Sequence, residues 1–163
     1  MWWLFFCLSN MPYQLSKTSL DKLVGVHPKL VAVVQRAIQI SELDFKVLEG
    51  VRSKQRQAQL VASGASKTLD GRHITGHAVD LGAVVGGVVR WDWPLYYKIA
   101  EAMQQAAKEL QTTIVWGGVW DAPLASIGDT EDAVAAYVAR RKAAGNKAFI
   151  DGPHFELDKR VYP

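Results

Sequence analysis

The sequence contains little cysteine, since Cys7 is the only one among 163 residues. One thiol cannot form an intramolecular disulfide, and it cannot supply the several thiolates of a cysteine-based zinc site. A metal site in this chain must therefore use histidine and carboxylate ligands. Histidine is also scarce, with four residues in the chain, so the position of each one carries information.

A long apolar run is also absent. The N-terminal apolar stretch from Trp2 to Leu8 is much shorter than the roughly 20 residues that cross a bilayer, and no basic residues precede it as they would in a signal peptide. We therefore expect no stable membrane insertion and no clear signal peptide. Residues 1–10 read either as a short packed arm or as an N-terminal extension before a natural start at Met11. Residues 11–163 are expected to form a single domain.

Blocks of like charge are missing as well. The net charge is only +3, with 49% hydrophobic and 21% charged residues, which is the balance of an ordinary globular domain. No basic stripe with interleaved aromatic residues is present, and this argues against nucleic-acid binding. The small positive charge favours mild attraction to anionic polymers.

The patterning that is present predicts helices and short strands in mixed order. Helices are predicted after an N-cap at Thr18 or Ser19, from Pro28, after Ser53, from Pro94, and after Asp129 or Thr130. Strands are predicted in "DFKVLEG", "HAVDLG", "TTIVWGG" and "GPHFEL", with a hairpin at Gly86-Gly87. Together they predict an α+β fold, a small, mainly antiparallel sheet flanked by helices.

Three of the four histidines lie beside strand-like segments, in "HITGHAVD" and "DGPHFEL". In the first segment Asp80 should point to the face opposite Val79 and Leu81, and a turn at Gly76 could return His73 to Asp80. The spacing alone does not choose between His73 and His77 as a metal ligand.

The second segment would supply a further ligand, His154, from a strand lying alongside. Asp151 and Glu156 are close enough in sequence to act as a general base. A hydrolytic zinc site commonly uses three protein ligands and a nearby carboxylate, and these residue types meet that requirement.

The segments "GRHITGHAVDLG" and "DGPHFEL", in this order, resemble the two motifs of LAS-type zinc peptidases, S-x-H-x-x-G-x-A-x-D and [ED]-x-x-H. That family includes D-alanyl-D-alanine carboxypeptidases and dipeptidases and has a Hedgehog-type zinc peptidase fold. With "LEGVRSKQRQ" and "WGGVWD", the chain most resembles phage endolysins that are L-alanyl-D-glutamate endopeptidases. The resemblance extends from about Ser19 to Leu157.

The resemblance implies a role for each matching residue. His73, Asp80 and His154 would hold one Zn²⁺, Asp151 would be the general base, and Arg52 would stabilise the oxyanion. Substrate contacts are expected from Gln55, Gln57, Trp116 and Gly117. His77 is then read as structural, with orientation of a ligand as the alternative, and Glu156 is a reserve base or substrate contact. His27 precedes a helix-starting proline, so it is expected to be a surface or capping residue.

Two departures from the family pattern affect these expectations. Gly71 stands where the first motif has serine, so a hydroxyl is missing. "WGGVWD" has Val119 at the position of an acid, with Asp121 two places later. The following helix, roughly Thr130 to Ala144, is expected either to cap the core or to form one wall of the cleft.

The function implied is a zinc-dependent peptidoglycan peptidase that cleaves the L-Ala–D-Glu bond of the stem peptide in phage-driven host lysis. The alternatives are a D-alanyl-D-alanine carboxypeptidase or dipeptidase and a non-catalytic, zinc-stabilised wall-binding domain. A monomer is expected, held in the host cytoplasm until a holin or another export helper gives it access to the wall.

Overall fold

The computed structural model describes residues 11–163, and the N-terminal extension predicted over residues 1–10 lies outside them. The elements in chain order are α1 (Lys17–Lys22), α2 (Pro28–Ile40), β1 (Asp44–Glu49), α3 (Lys54–Ala62), β2 (Ala78–Val85), β3 (Val88–Arg90), α4 (Trp93–Glu109), β4 (Ile114–Trp116), a 3₁₀ turn (Leu124–Ser126), α5 (Thr130–Ala143) and β5 (His154–Leu157). The α+β fold class predicted from the sequence is confirmed.

The two long helices, α2 and α4, begin near the predicted prolines and bury their predicted apolar stripes. The His27 side chain accepts a hydrogen bond from the backbone N–H of Lys29, and Pro28 occupies the first turn of α2. This confirms the capping role of His27. Pro94 has the same place in α4. The apolar stripes of α2 and α4 contact each other and join one hydrophobic cluster with the inner face of the sheet.

The sheet has five strands in the order β1-β2-β5-β4, with β3 paired to the end of β2. Every pairing among these described strands is antiparallel. The register sets Asp80 of β2 opposite His154 of β5 and opposite Glu49 of β1. Three ionisable side chains from distant parts of the chain therefore meet at one level of the sheet.

The first helix differs from its prediction. Its N-cap is Ser16, whose side chain accepts from the N–H of Ser19. Ser19 is buried and its hydroxyl accepts from the N–H of Val47 on β1, at 3.1 Å. The serine read as a cap is thus used to attach α1 to the sheet.

Across residues 11–163, no helix combines the length and apolar character that a membrane span requires.

Candidate metal centre and active-site cavity

Three side chains, those of His73, Asp80 and His154, converge in the lining of one cavity beside the sheet. Nε2 of His73 lies 3.2 Å from Oδ1 of Asp80 and 3.3 Å from Nδ1 of His154. Nδ1 of His154 is also 3.2 Å from Oδ1 of Asp80. These three atoms form a nearly equilateral triangle, the geometry of a group that can hold a metal ion.

The other nitrogen of each imidazole is fixed by an acceptor. Nδ1 of His73 lies 2.8 Å from the carbonyl oxygen of Gly50, and Nε2 of His154 lies 2.8 Å from Oε2 of Glu156. A carbonyl and a carboxylate can only accept, so each of these nitrogens carries a hydrogen. When the imidazoles are neutral, the lone pairs of the remaining nitrogens therefore face Asp80, as in metal sites whose histidines are oriented by outer partners.

The triangle fits a tetrahedral zinc ion. Zinc bonds of about 2.0–2.1 Å to histidine and carboxylate ligands require ligand atoms about 3.3–3.4 Å apart in a tetrahedron. The observed separations of 3.2, 3.2 and 3.3 Å are close to that value. Three protein ligands leave one coordination position for water or substrate, which is the arrangement of catalytic sites.

Local backbone geometry brings His73 to the strand. Gly76 has a φ of +74°, and a Cβ at this position would overlap the carbonyl oxygen of Gly25. The turn is completed by hydrogen bonds from Gly76 N–H to the His73 carbonyl, at 3.3 Å, and from Arg52 N–H to that same carbonyl, at 3.0 Å. Glycine is needed here both for its conformation and for the close backbone approach.

The ionisation of this cluster is strongly coupled. Burial alone would raise the pKa of Asp80, but hydrogen bonds from His154 and His73 outweigh it and hold that pKa well below its usual range. Burial disfavours a charged His154, yet its hydrogen bonds to Asp80 and Glu156 raise its pKa to about 9. Without a metal, the carboxylates of Asp80 and Glu156 therefore favour the protonated form of His154.

Asp151 lines the same cavity as the three residues of the triangle. Its N–H donates to the carbonyl of Gly117, at 2.8 Å, and its own carbonyl accepts from the N–H of His154, at 3.2 Å. Burial raises the pKa of its carboxyl, partly opposed by the charge of His154 and reinforced by that of Asp80. A carboxylate with a raised pKa in a cleft has the property required of a general base.

Arg52 lies at the edge of the cluster with its side chain only 9% exposed. Its Nε donates to Oε1 of Glu49 at 2.9 Å, and its Nη2 contacts the carboxylates of Glu49 and Asp80. Its Nη1 donates to Oε1 of Gln57 at 2.8 Å. A guanidinium carries five N–H groups, and within residues 11–163 the second hydrogen on Nη1 has no hydrogen-bond partner, while Arg52 lines the cavity. Burial opposes its charge, but Glu49 raises the pKa of Arg52 above its ordinary value.

Gln57 lies in the cavity lining but is only 1% exposed. Besides accepting from Arg52, its amide nitrogen donates to Oγ of Ser66, at 2.9 Å, and to the carbonyl of Thr68. Its hydrogen-bonding groups are thus used inside the protein. It connects the arginine to the loop that follows α3.

The other predicted substrate contacts lie away from the cavity lining. Gln55 is an exposed residue of α3. Trp116 is fully buried, and its indole N–H donates to the carbonyl of Gly152, at 2.8 Å. Gly117 N–H donates to the His154 carbonyl, at 2.8 Å, so it supports the ligand strand from behind. Trp116 is in the core although β4 is the last strand in the sheet order, because all three residues of this strand are buried.

The structure decides between His73 and His77, which sequence spacing alone could not do. Nδ1 of His77 lies 2.8 Å from Oγ1 of Thr75, and its ring lies 5.3 Å from that of His27. Burial lowers the pKa of His77, helped by the charge of Arg72. His77 is therefore remote from the triangle, and His73 is the histidine of this segment that joins it.

Only one of the residues that depart from the family pattern, Gly71, lies in the cavity lining. Gly71 lines the cavity, and a Cβ there would lie 3.1–3.3 Å from the amide of Gln57. Val119 is buried, whereas Asp121 pairs with Arg140 of α5 at 2.9 Å. Trp120 is the residue of "WGGVWD" that reaches the cavity lining.

Helix α5 packs against α4 and buries Thr130, Val134 and Tyr137. Among the described residues that line the cavity, none belongs to α5. The helix therefore caps the core, and the alternative expectation that it forms a cleft wall is wrong.

Sequence reasoning missed part of the cavity wall. Lys67, Trp120 and Phe149 line the cavity, and the ring of Trp120 stacks on that of Phe149 with centroids 6.0 Å apart. Phe149 is 46% exposed. Its only signal in the sequence is an aromatic residue in a polar stretch just before the second motif.

The sheet register, the triangle and the adjacent carboxylate fit one class of protein, a mononuclear metallopeptidase with an open cleft of about 510 Å³. Residues 11–158 match the family of phage L-alanyl-D-glutamate peptidases. The chain belongs to that family, and it is a peptidase with the fold that the sequence motifs predict.

Individual relatives agree with this assignment. The chain is 31% identical over 151 residues to the L-alanyl-D-glutamate peptidase of Escherichia phage T5, covering 90% of this chain and 99% of the relative. It is 29% identical over 158 residues to the L-alanyl-D-glutamate peptidase of Listeria phage A118, covering 95% of this chain and 45% of that protein. The crystal structure of the Serratia marcescens L-Ala D-Glu endopeptidase ChiX superposes with a TM-score of 0.72 at 38% identity, covering 96% of this chain and 98% of that one.

Proposed function

We propose that this peptidase is zinc-dependent and cleaves the L-Ala–D-Glu bond of the peptidoglycan stem peptide. The family assignment supports the bond, because the related proteins are named for it. The observation that carries the metal dependence is the triangle of His73, Asp80 and His154. Its spacing suits zinc, and its donors are nitrogen and oxygen atoms that zinc accepts.

In this proposal His73, Asp80 and His154 hold the ion. When bound there, zinc supplies Lewis acidity that polarises the scissile carbonyl and makes water a better nucleophile at neutral pH. The protein keeps the ligands ready for it, since Gly50 and Glu156 direct the free lone pairs of the two imidazoles to one point.

Asp151 and Arg52 perform the remaining steps. Asp151 accepts a proton from the attacking water and later gives it to the leaving amine, a shuttle for which its raised pKa is suited. The unoccupied N–H of Arg52 Nη1 faces the negative charge that develops on the carbonyl oxygen. Because Glu49 and Gln57 fix the guanidinium in advance, little reorganisation is needed during the reaction.

Digestion of purified cell wall tests the bond. We expect new L-alanine carboxyl termini and new D-glutamate amino termini in equal amounts. Release of free D-alanine instead would indicate a D-alanyl-D-alanine carboxypeptidase. If the zinc-loaded protein binds the wall but produces no new termini, it is a wall-binding domain without catalysis.

Metal analysis tests the ion and its ligands. We expect one zinc per chain, lost in His73→Ala and retained in His77→Ala. The second variant is a matched control, because His77 lies four residues along and contacts Thr75 and His27 outside the triangle. Equal loss in both variants, or a different metal in the active protein, would contradict the assignment.

We further propose that the protein acts as a monomer and reaches the wall from the host cytoplasm through a holin or another export helper. Expression in a bacterial host should cause lysis only when the inner membrane is permeabilised. Lysis by the protein alone would refute the need for a helper.

A further inference from the structure

The cavity lining contains two arginines and one lysine, and their charged groups differ in how many partners they have. Arg52 is held by Glu49, Gln57 and Asp80. Nη2 of Arg72 donates to the carbonyls of Leu157 and Tyr162. Lys67, within the described residues 11–163, has no ion pair with a carboxylate.

The position of Lys67 is nevertheless fixed from two sides. The buried amide of Gln57 donates to Ser66 and Thr68, the residues directly before and after the lysine. The Lys67 ammonium lies 4.9 Å from the centre of the Phe149 ring, in a cation–π contact. This pairing joins the loop after α3 to the segment before β5 across the cavity.

A row of rings connects this ammonium to the metal triangle. Phe149 stacks on Trp120, with ring centroids 6.0 Å apart, and Trp120 lies 5.1 Å from the ring of the ligand His154. The row forms one continuous apolar wall with a positive charge at its outer end. The metal triangle and the Lys67 ammonium thus lie on the same cavity wall, so a bound substrate can contact both.

The proposed substrate carries a group that suits this charge. Glutamate has two carboxyl groups, and a peptide chain continues through at most one of them, so an L-alanyl-D-glutamyl unit keeps a free carboxylate unless it is amidated. The cavity is also lined by the carboxylates of Glu49, Asp70, Asp80, Asp151 and Glu156. Such a surface repels an anionic substrate unless a cation is available at the point of contact.

We propose that Lys67 is a specificity-determining residue that binds the free carboxylate of the D-glutamyl residue. Gln57 is its positioning residue, since one buried amide sets both the arginine beside the triangle and the backbone on either side of the lysine. The inference rests on the proposed function and adds the substrate group that is recognised.

Paired substrates test the proposal. The assay uses two soluble L-alanyl-D-glutamyl peptides, one with a free D-glutamyl carboxyl and one with that carboxyl amidated. Cleavage of each peptide is measured for wild type, Lys67→Met, Lys67→Arg and Lys159→Met. We expect wild type to prefer the free acid by about tenfold in kcat/KM, the worth of a hydrogen bond to a charged group. The preference should decline with added salt. Lys159 is an exposed lysine outside the cavity lining and serves as the matched control.

In Lys67→Met the ratio of kcat/KM for acid to amide should fall close to one through loss on the acid alone, mainly in KM. Lys67→Arg and Lys159→Met should keep the ratio. Equal loss on both substrates in Lys67→Met, an unchanged ratio, or no preference in wild type would overturn the proposal while leaving the peptidase activity established. Failure of wild type to cleave either peptide at the alanyl–glutamyl bond would instead contradict the proposed function.

Discussion

At the scale of single residues, two carboxylates flank His154 in the sequence, and we propose a different role for each. Asp151 is three positions before this histidine and Glu156 is two positions after it. Asp151 precedes His154 and its pKa is raised by burial. Glu156 follows His154 and lies 2.8 Å from its Nε2. In the proposed mechanism the first has a proton-transfer role and the second an orienting role, and each can be tested separately.

We expect Asp151→Asn to lower kcat by about 100-fold or more, since it removes the group proposed to take the proton from water. Zinc should stay bound at one equivalent, because Asp151 is not part of the triangle. Asp121→Asn is the control, being an exposed aspartate paired with Arg140. Hydrolysis rates and metal content check both, and near-normal rates in Asp151→Asn would transfer the role of base to Glu156.

Glu156→Leu is expected to weaken zinc binding by about 10–100-fold, the usual effect of removing a partner that orients a ligand histidine. Glu156→Gln should keep most of the affinity, because its amide oxygen still accepts from Nε2 of His154. Competition with a chelator of known affinity measures both. A Glu156→Leu variant that binds zinc normally but has no activity would show that this residue acts as a base instead.

The sequence predicted which residues converge in the triangle better than which residues line the cavity, and the reason is physical. A ligand set needs particular atoms in a fixed order, which the motif around His73 and the one around His154 retain. A pocket wall needs only shape and burial. Gln57 on a polar helix reads as solvated, yet it is 1% exposed because the loop after α3 folds over it.

At the scale of elements, the centre depends on close backbone contact between β4 and β5. A Cβ on Gly117 would overlap the carbonyl oxygen of Asp151, and the same glycine accepts from Asp151 N–H at 2.8 Å. The position of Asp151, the proposed base, is thus set by a glycine at the end of a buried strand. Any side chain there must push the segment before β5 outward.

We therefore expect Gly117→Ala to lower the free energy of unfolding by about 1–3 kcal/mol, as overpacking does, and to reduce kcat through displacement of Asp151. Gly128→Ala is the matched control, because a Cβ there meets nothing within 4 Å; it should change stability by less than about 0.5 kcal/mol. Urea unfolding and hydrolysis rates check both variants. Wild-type values for Gly117→Ala would show that this contact does not position the base.

The elements themselves were largely predictable, since α2, α4 and the hairpin at Gly86-Gly87 carry strong local signals. Proline in the first turn and an apolar stripe define each long helix, and both hairpin glycines have positive φ. The cap of α1 was misplaced because the Ser19 hydroxyl bonds to β1. Such a long-range contact leaves no local trace.

At the scale of the whole molecule, one ion would join the loop after α3 to β2 and β5, so metal, proton and fold are coupled. In the metal-free protein the pKa of His154 is about 9, so this imidazole is mostly protonated at pH 7.5. The pKa of Asp80 lies well below its usual range, so its carboxylate has no proton to lose. Zinc requires a deprotonated imidazole.

Zinc binding at pH 7.5 should therefore release close to one proton, and the apparent affinity should rise with pH until about pH 9, where His154 loses its proton unaided. Calorimetry in buffers of different ionisation enthalpy measures the number of protons. Glu156→Gln provides the internal comparison, because removing one of the two carboxylates that hold the proton lowers the pKa of His154 and with it the release. Binding without proton release in the wild type would mean that His154 is neutral before the metal arrives, and that Asp80 and Glu156 together do not hold a proton on its ring.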